Sequence, residues 1–315
     1  MKAILSPGFF KYLARRLFSM IVTVFIIITL LFFIMRLSPG GPFDKEKPVP
    51  EAIKRALEAK YNLDKPLLVQ YYLYLKDLII KGDFGPSMKY KGFTVNELLK
   101  AKFPVSFRIG LITIIFSVII GIIFGIISAM YQNKWPDYFF MGIAVIGISM
   151  PSFLITILFL LFFAKTLKVV PFIWENGNPL SYVVPVLSLS LAEIAYITRL
   201  TKVGILDTLH KDYIRTARAK GLPEKEVIIK HVLKGSLIPT VTFIGPAFAA
   251  IVTGSVVVEQ ICNIPGIGRD YVQAAFNRDY PVFMGVMILY SVLLILMNFI
   301  VDIVYAFLDP RIKYN

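Results

Sequence analysis

Three acids and a base stand in or beside long apolar stretches of this chain: Glu193, Arg199, Glu259 and Asp302. A charge at the centre of a membrane helix costs about 2.5–3.5 kcal/mol on insertion scales, so such residues face protein or water. Glu193 precedes Arg199 by about a turn and a half of helix. A Glu193–Arg199 or an Arg199–Asp302 ion pair could hold spans together, or Glu193 could line a solute pathway. Glu259 is followed by the irregular run Pro265-Gly266-Ile267-Gly268. It reads either as a gate or substrate contact or as a solvated helix end. Gly-x-Gly alone is weak support for a phosphate nest, and a tight re-entrant turn that meets another protein or closes a pathway is the better reading. His210 and His231 are too few and too separated for a metal site, and the lone Cys262 excludes an internal disulfide or a cysteine cage. There is no Gly-x-x-x-x-Gly-Lys-Ser/Thr loop to cradle ATP phosphates. Catalytic residues, a cofactor and a metal are therefore not expected on this chain.

The elements that must position these residues are membrane spans. Hydrophobic residues make up 57% of the 315 and mean hydropathy is +0.71, more apolar surface than a soluble domain can bury. Uncharged runs long enough to cross about 30 Å of hydrocarbon cover 17–35, 109–130, 138–164, 237–258 and 281–301, and a sixth, 180–197, holds only Glu193. The first run has the position of a signal peptide, but Arg36-Leu37-Ser38-Pro39 follows in place of a small-residue cleavage site, so it reads as retained. Lys and Arg gather at the N-terminus, at Lys134, between Arg199 and Lys234, and at Arg311 and Lys313. That asymmetry places both termini in the cytoplasm. Anionic membrane lipid accounts for the net charge of +14 without a nucleic-acid partner. Gly121 and Gly125 fit close helix packing, and Gly245-Pro246 reads as a kink, with Pro246 a hinge candidate.

The expected organisation is a cytoplasmic segment and first span (1–36), an extracytoplasmic cap (37–108), a core of five spans (109–308) and a cytoplasmic tail (309–315). Within the cap, helices are expected from Glu51 and over 67–80, and a short helix over 94–102 lies along the membrane before Pro104. Between the fourth and fifth spans, Asp212 to Pro239 form a basic block with helical spacing. Asp212 could cap a helix that Gly221 and Pro223 end. A second helix would present Val227, Ile228, His231 and Val232 on one side. By its chemistry this pair of helices is either a knob gripped by a cytoplasmic partner or a basic helix on lipid headgroups.

Tyr213-Ile214-Arg215-Thr216-Ala217-Arg218-Ala219-Lys220-Gly221-Leu222, with His231 and Leu237-Ile238-Pro239, resembles the cytoplasmic coupling loop (about 210–235) of ATP-binding-cassette importer permeases, in its oligopeptide/dipeptide branch. Leu63-Asp64-Lys65-Pro66, Gln70-Tyr71, Gly82-Asp83-Phe84-Gly85 and Ser87 resemble that branch's outer loop, of the B type. Glu259 with 264–268, Asn277-Arg278-Asp279-Tyr280-Pro281, and Asp302, Tyr305 and Leu308-Asp309-Pro310-Arg311 resemble its later signatures. The glutamate usual in other branches' loops is replaced by Arg215.

The resemblance implies an all-α polytopic protein with the type I importer permease fold, six spans and both ends cytoplasmic, in the cytoplasmic membrane. It implies a second, homologous permease as heterodimer partner, two ATP-binding subunits that carry the ATP and magnesium, and an extracytoplasmic substrate-binding protein. The coupling residues would be Tyr213, Arg215, Ala217, Arg218, Ala219, Lys220, Gly221 and Leu222, with Ala217, Ala219 and Gly221 setting close approach. Glu259, Pro265, Gly266, Gly268 and Glu193 are the gate or pathway candidates. The expected cargo is peptide, with nickel complexes or oligosaccharides as alternatives. A self-contained secondary transporter is the rival, but no repeated half-structure is visible.

Overall fold

The computed structural model describes residues 7–38, 41–43, 50–90, 92–253 and 255–308, without the side chains of Pro7, Phe9, Lys54 and 305–308. The expected tail over 309–315 and the side chain of Tyr305 lie outside the described residues. Apart from an isolated bridge between Pro86 and Thr94, regular structure among the described residues is helical.

Helix α1 (Pro7–Leu37) leads to α2 (Glu51–Lys60) and α3 (Leu67–Lys76), which widens into a π-helical stretch ending at Lys81. Then come α4 (Val95–Met130), α5 (Trp135–Ser149), α6 (Ser152–Phe159) with a π-helical extension to Thr166, and α7 (Val183–Leu209). A cluster of short helices follows: α8 (Asp212–Ala219), α9 (Glu224–Glu226) with a π-helical turn Val227–Val232, and α10 (Leu233–Ser236). The chain closes with α11 (Ile238–Val252), α12 (Val256–Ile261), α13 (Ile267–Phe276) and α14 (Tyr280–Leu308).

Among the described residues, five segments are long and apolar enough to cross a membrane: Phe10–Leu37, Val95–Met130, Pro179–Leu209, Ile238–Ile261 and Tyr280–Val304. The run 138–164, expected as one span, is built of α5 and α6 meeting at a bend of 107°, so the described residues hold five such spans, or six if the bent pair counts as one. Met150 is extended at φ −93° and ψ 128°, as a residue before proline prefers. Pro151 then has no N–H with which to continue the helix.

A second expectation is corrected at the start of the core. Residues 94–102 do not form a separate surface helix. They are the first turns of α4, which runs through Pro104 without ending. A capping box starts it: Thr94 Oγ1 accepts from Glu97 N, and the Glu97 carboxylate accepts from Thr94 N. The boundary expected at 108/109 therefore falls inside one helix of 36 residues, about 54 Å long at 1.5 Å per residue.

Helices α4 and α7 form the centre. A Cβ added to Gly121 would lie 2.6 Å from Ile197 Cγ2, and one added to Gly125 would lie 2.5 Å from Thr201 Cβ. The close packing expected of Gly121 and Gly125 is thus met, and it binds α4 against α7. On the other side of α7, Leu191 O sits 2.6 Å from where a Cβ on Gly147 of α5 would be. Gly245 plays the same part between α11 and α14, against Val301 and Met297. Pro246 lies inside α11, which continues to Val252.

A side chain at position 125 has nowhere to go. Gly125→Val is expected to lower stability by about 1–3 kcal/mol through overpacking, read as a fall in unfolding temperature in detergent. Gly142→Ala, where no atom lies within 4 Å of the added Cβ, should leave it unchanged. Equal unfolding temperatures for the two variants would contradict this account of the α4–α7 contact.

Candidate functional site

Two constellations emerge, one at each end of α4. The first is the knob built by α8, α9 and α10. Its inner side is apolar: Ile214, Ala217, Val227 and Val232 are buried together with Ala129 at the end of α4 and Ile205 of α7. Gly221, at φ +76°, takes the left-handed conformation that ends the α8 segment. Pro223 then precedes α9. Arg218 grips Glu224 with two hydrogen bonds, Nε to Oε2 at 3.1 Å and Nη2 to Oε1 at 2.6 Å. That pair fixes the angle between the two arms, and the guanidinium holds the Glu224 carboxyl below its ordinary pKa. The expected cap at Asp212 is not made; Lys211 occupies the cap position, and Asp212 pairs loosely with Arg215 at 3.7 Å.

The expected contact residues divide in two. Arg215, Arg218, Ala219, Lys220 and Gly221 are exposed. Ala217 is not available to a partner, because it is buried at 5% exposure in the knob's own core. Leu222 packs at the edge of that core, and Tyr213 is half-buried with its hydroxyl beside Gly235. Arg218 is engaged by Glu224, leaving Arg215 and Lys220 as the more available cations. The helical period explains the correction: Ile214 and Ala217 are three apart and share the inward face.

The second constellation lies where α4 begins. Its buried acids are satisfied one by one. Glu259 of α12 is 4% exposed. Its Oε1 accepts from Ser106 Oγ of α4 at 2.6 Å and its Oε2 from Gly268 N at 2.9 Å. Ser106 Oγ in turn accepts from Ile267 N at 3.0 Å. The carboxylate and the hydroxyl thereby fill N–H groups that the first turn of α13 would leave unpaired. A Cβ on Gly266 would fall 2.4 Å from Glu259 Cδ, so the glycine lets the backbone reach the carboxylate. Glu259 is not a solvated helix end. It is the clasp that joins α4, α12 and α13.

Asp270 of α13 meets Lys102 Nζ at 2.6 Å and accepts from Tyr90 OH at 3.2 Å. Burial and the Asp270 charge push the Tyr90 phenol up from its ordinary pKa. Asp279 accepts from Ser87 Oγ, Met88 N and Lys89 N, which staples the loop after α3 to the turn before α14. Beside these groups opens a polar cavity of about 580 Å³, with Pro265, Gly266, Lys102, Arg269 and Trp174 in its wall. Of the gate candidates, Pro265 and Gly266 reach it, whereas Glu259, Gly268 and Glu193 do not. Sequence reasoning missed Asp270 with Lys102, and it missed Asp137, which binds Lys202 Nζ at 2.6 Å and Asn133 N at 2.9 Å. Acids flanking apolar runs, read for a cation on another helix, would have been the signal.

Neither expected intramembrane pair is formed. Asp302 bonds Arg16 of α1 at 3.1 Å, because α1 packs along α14. Arg199 is exposed. Glu193 Oε2 is buried and has no hydrogen-bond partner among the described residues.

Residues 121–314 match the family described as binding-protein-dependent transport system inner membrane component, and residues 9–95 match the N-terminal component of such systems. The chain is 47% identical over 305 residues to the oligopeptide transport system permease protein OppB of Salmonella typhimurium, covering 96% of this chain and 99% of that protein. It is 44% identical over 306 residues to the dipeptide transport system permease protein DppB of Bacillus subtilis, covering 97% and 98%. In fold, it is similar to the MetNI methionine ABC transporter in an inward-facing form, with TM-score 0.55 and 16% identity over 67% of this chain and 96% of that one. It is also similar to an amino acid ABC transporter, with TM-score 0.52 and 13% identity over 67% and 94%.

Removing the clasp leaves a buried hydroxyl and a buried N–H without their acceptor. Glu259→Ala should destabilise the chain by about 1–3 kcal/mol per orphaned group, measured by thermal unfolding in detergent. Glu259→Gln, which keeps an acceptor for Gly268 N, should lose less. A Glu259→Ala chain as stable as the unaltered one would remove the clasp from this account.

Proposed function

The chain belongs to the family of binding-protein-dependent transport system inner membrane components, and from that membership we propose that it is the peptide-carrying permease of an ATP-driven importer. The observation that carries the mechanism is the placement of the two constellations at opposite ends of α4. The knob packs beside Ala129, and the polar cluster holds α4 through Lys102 and Ser106. The helix between them is long enough to span a bilayer.

The knob side is cytoplasmic in this reading, because the connection between Arg199 and Lys234 is rich in lysine and arginine. Six spans then require α5 and α6 to act as one bent span, with both termini inside. The knob docks on the ATP-binding subunits, which supply the ATP and magnesium chemistry. Arg215, Ala219, Lys220 and Gly221 form the docking face. Ala219 and Gly221 let a partner approach closely, and the cations meet acidic groups on it. A second, homologous permease lines the pathway with this chain. The substrate-binding protein delivers peptide to the outer face, where Pro265 and Gly266 form part of the rim. Pro246 in α11 is the hinge of this scheme. This chain supplies no catalytic group of its own.

The test is reconstitution of the assembly in liposomes with peptide, nickel complexes and oligosaccharides offered in parallel. Peptide should be the solute that stimulates ATP hydrolysis and enters. Ala219→Trp should leave the chain inserted, yet reduce co-purifying ATP-binding subunits and peptide uptake at least about tenfold, the scale of losing about 1.4 kcal/mol of docking. Full uptake by that variant would count against the docking face. Uptake by this chain alone under an ion gradient would sink the importer mechanism.

A further inference from the structure

Arg36 is the penultimate residue of α1, and it pairs with no carboxylate among the described residues. Its Nε and Nη1 are buried and lack any hydrogen-bond acceptor among the described residues. The guanidinium instead lies over the rings of Phe32, at 5.3 Å, and Tyr280, at 5.7 Å. Cation–π contact offsets part of the cost of burying a charge, but it leaves the N–H groups unsatisfied. Each such orphan costs more than an ordinary one because the donor is charged.

Two more orphans share the same cavity. The Tyr74 hydroxyl and Gln70 Oε1 are buried without a hydrogen-bond partner among the described residues. Gln70 has its orientation set by its amide nitrogen, which donates to Leu63 O at 3.2 Å and Lys65 O at 2.8 Å, so Oε1 is left as an acceptor. Burial raises the Tyr74 phenol above its ordinary pKa, which keeps it a proton donor at neutral pH. Arg36, Tyr74 and Gln70 all line one cavity of about 160 Å³ between α1, the cap helix α3 and α14. Of the two lining acids, Asp77 is paired with Lys81 at 2.7 Å, and Asp83 keeps its charge while one oxygen accepts from Gly85 N at 2.9 Å. Lys60 adds a further positive charge to the wall.

We propose that this cavity binds one phosphate group that carries a hydroxyl. The Arg36 guanidinium and the Tyr74 hydroxyl hold its anionic oxygens, and Gln70 Oε1 accepts from its O–H. The space exceeds a water molecule's share of about 30 Å³ and falls below the roughly 300–1,000 Å³ of pockets for drug-sized ligands, so a headgroup fits and a peptide does not. Two sources meet the description: hydrogen phosphate in solution, whose O–H is its own, and the phosphoglycerol headgroup of an anionic lipid, whose phosphodiester has no O–H and whose glycerol supplies it. The end of a span-length helix is the level at which headgroups lie. The site is separate from the peptide pathway and does not rest on the peptide reading.

The test uses the full chain purified with its partner subunits. In one arm, delipidated protein in detergent is titrated with inorganic phosphate and, separately, with sulfate, which offers no O–H at neutral pH. In the other, nanodiscs of phosphatidylglycerol are compared with phosphatidylcholine. The readout is the unfolding temperature. A saturable rise with phosphate identifies a free anion, and a rise in phosphatidylglycerol alone identifies a lipid headgroup; either supports the site. Sulfate should bind about tenfold more weakly than phosphate. Arg36→Gln should abolish the response, and Tyr74→Phe should weaken it about tenfold. No response in both arms, or an undiminished response in Arg36→Gln, would overturn the proposal. If Arg36→Gln does not fold, an unchanged response in Tyr74→Phe overturns it instead.

Discussion

The contact of α4 with α7 is the constraint on which the rest of this molecule depends. Gly121 and Gly125 bring the two backbones close enough that Ile197 and Thr201 occupy the space a side chain would need. In a bilayer the hydrophobic effect gives little reason for one apolar helix to prefer another over lipid. Association comes from close van der Waals packing and buried polar contacts. This interface supplies mainly the packing; one hydrogen bond crosses it, from Ser117 Oγ of α4 to Ser190 O of α7 at 3.5 Å. Several other elements are placed by reference to the pair. Helix α5 leans on α7 through Gly147, and α10 meets α7 where Ser236 O comes within 2.2 Å of the position of a Cβ on Gly204. At its N-terminal end, α4 receives α13 and α14.

The acids follow a second rule. Asp137, Glu259, Asp270 and Asp279 are all at most 4% exposed, and each has a cation, a hydroxyl or backbone N–H groups against its oxygens. Burying a carboxylate without such partners is prohibitive, so each acid marks a junction whose geometry is fixed by its satisfaction. Glu259 joins three helices, Asp279 holds the cap to α14, and Asp137 with Lys202 ties the start of α5 to α7. The orphaned donors of Arg36 stand out against that background, because the same chain elsewhere leaves few buried charges unanswered.

How much of this was legible in the residue order depends on the range of the interaction. The knob was legible because its signals are local: Gly221 and Pro223 punctuate two short helical patterns, and the pattern of apolar positions marks the inward face. That same period, applied strictly, puts Ala217 inside with Ile214 and leaves Ala219 outside. Small size alone suggested both as contacts, and size carries no direction. Pro151 was visible but ambiguous, since a proline in an apolar run either kinks a helix or ends it. Pro104 shows the opposite outcome on the same kind of signal: α4 continues through it, because the capping box at Thr94 and the contacts with α13 hold the turns on its N-terminal side. The pairing of Asp302 with Arg16, 286 residues away in sequence, and of Asp270 with Lys102 could not be read locally. Those pairs are set by which helices become neighbours, α1 with α14 and α4 with α13.

The proposed coupling follows from the same stiffness. A force on the exposed face of the knob passes to Ile214 and Ala217, and from them to Ala129 and Ile205, which belong to α4 and α7. Protein interiors are packed at nearly crystalline density and shift between discrete arrangements more readily than they compress. With glycines at the crossing, α4 and α7 have little room to slide past one another, so they move as one body. Deformation must then collect where helical hydrogen bonding is already interrupted. Three such places lie beside the pair: the 107° bend between α5 and α6, Pro246 within α11, which has no N–H to give the helix, and the junction of α11 with α12. The last stands directly before the Glu259 clasp. A displacement of α4 relative to α11 would therefore reach α12 and α13 as a rigid clasped unit, carrying Pro265 and Gly266 at the polar cavity with it.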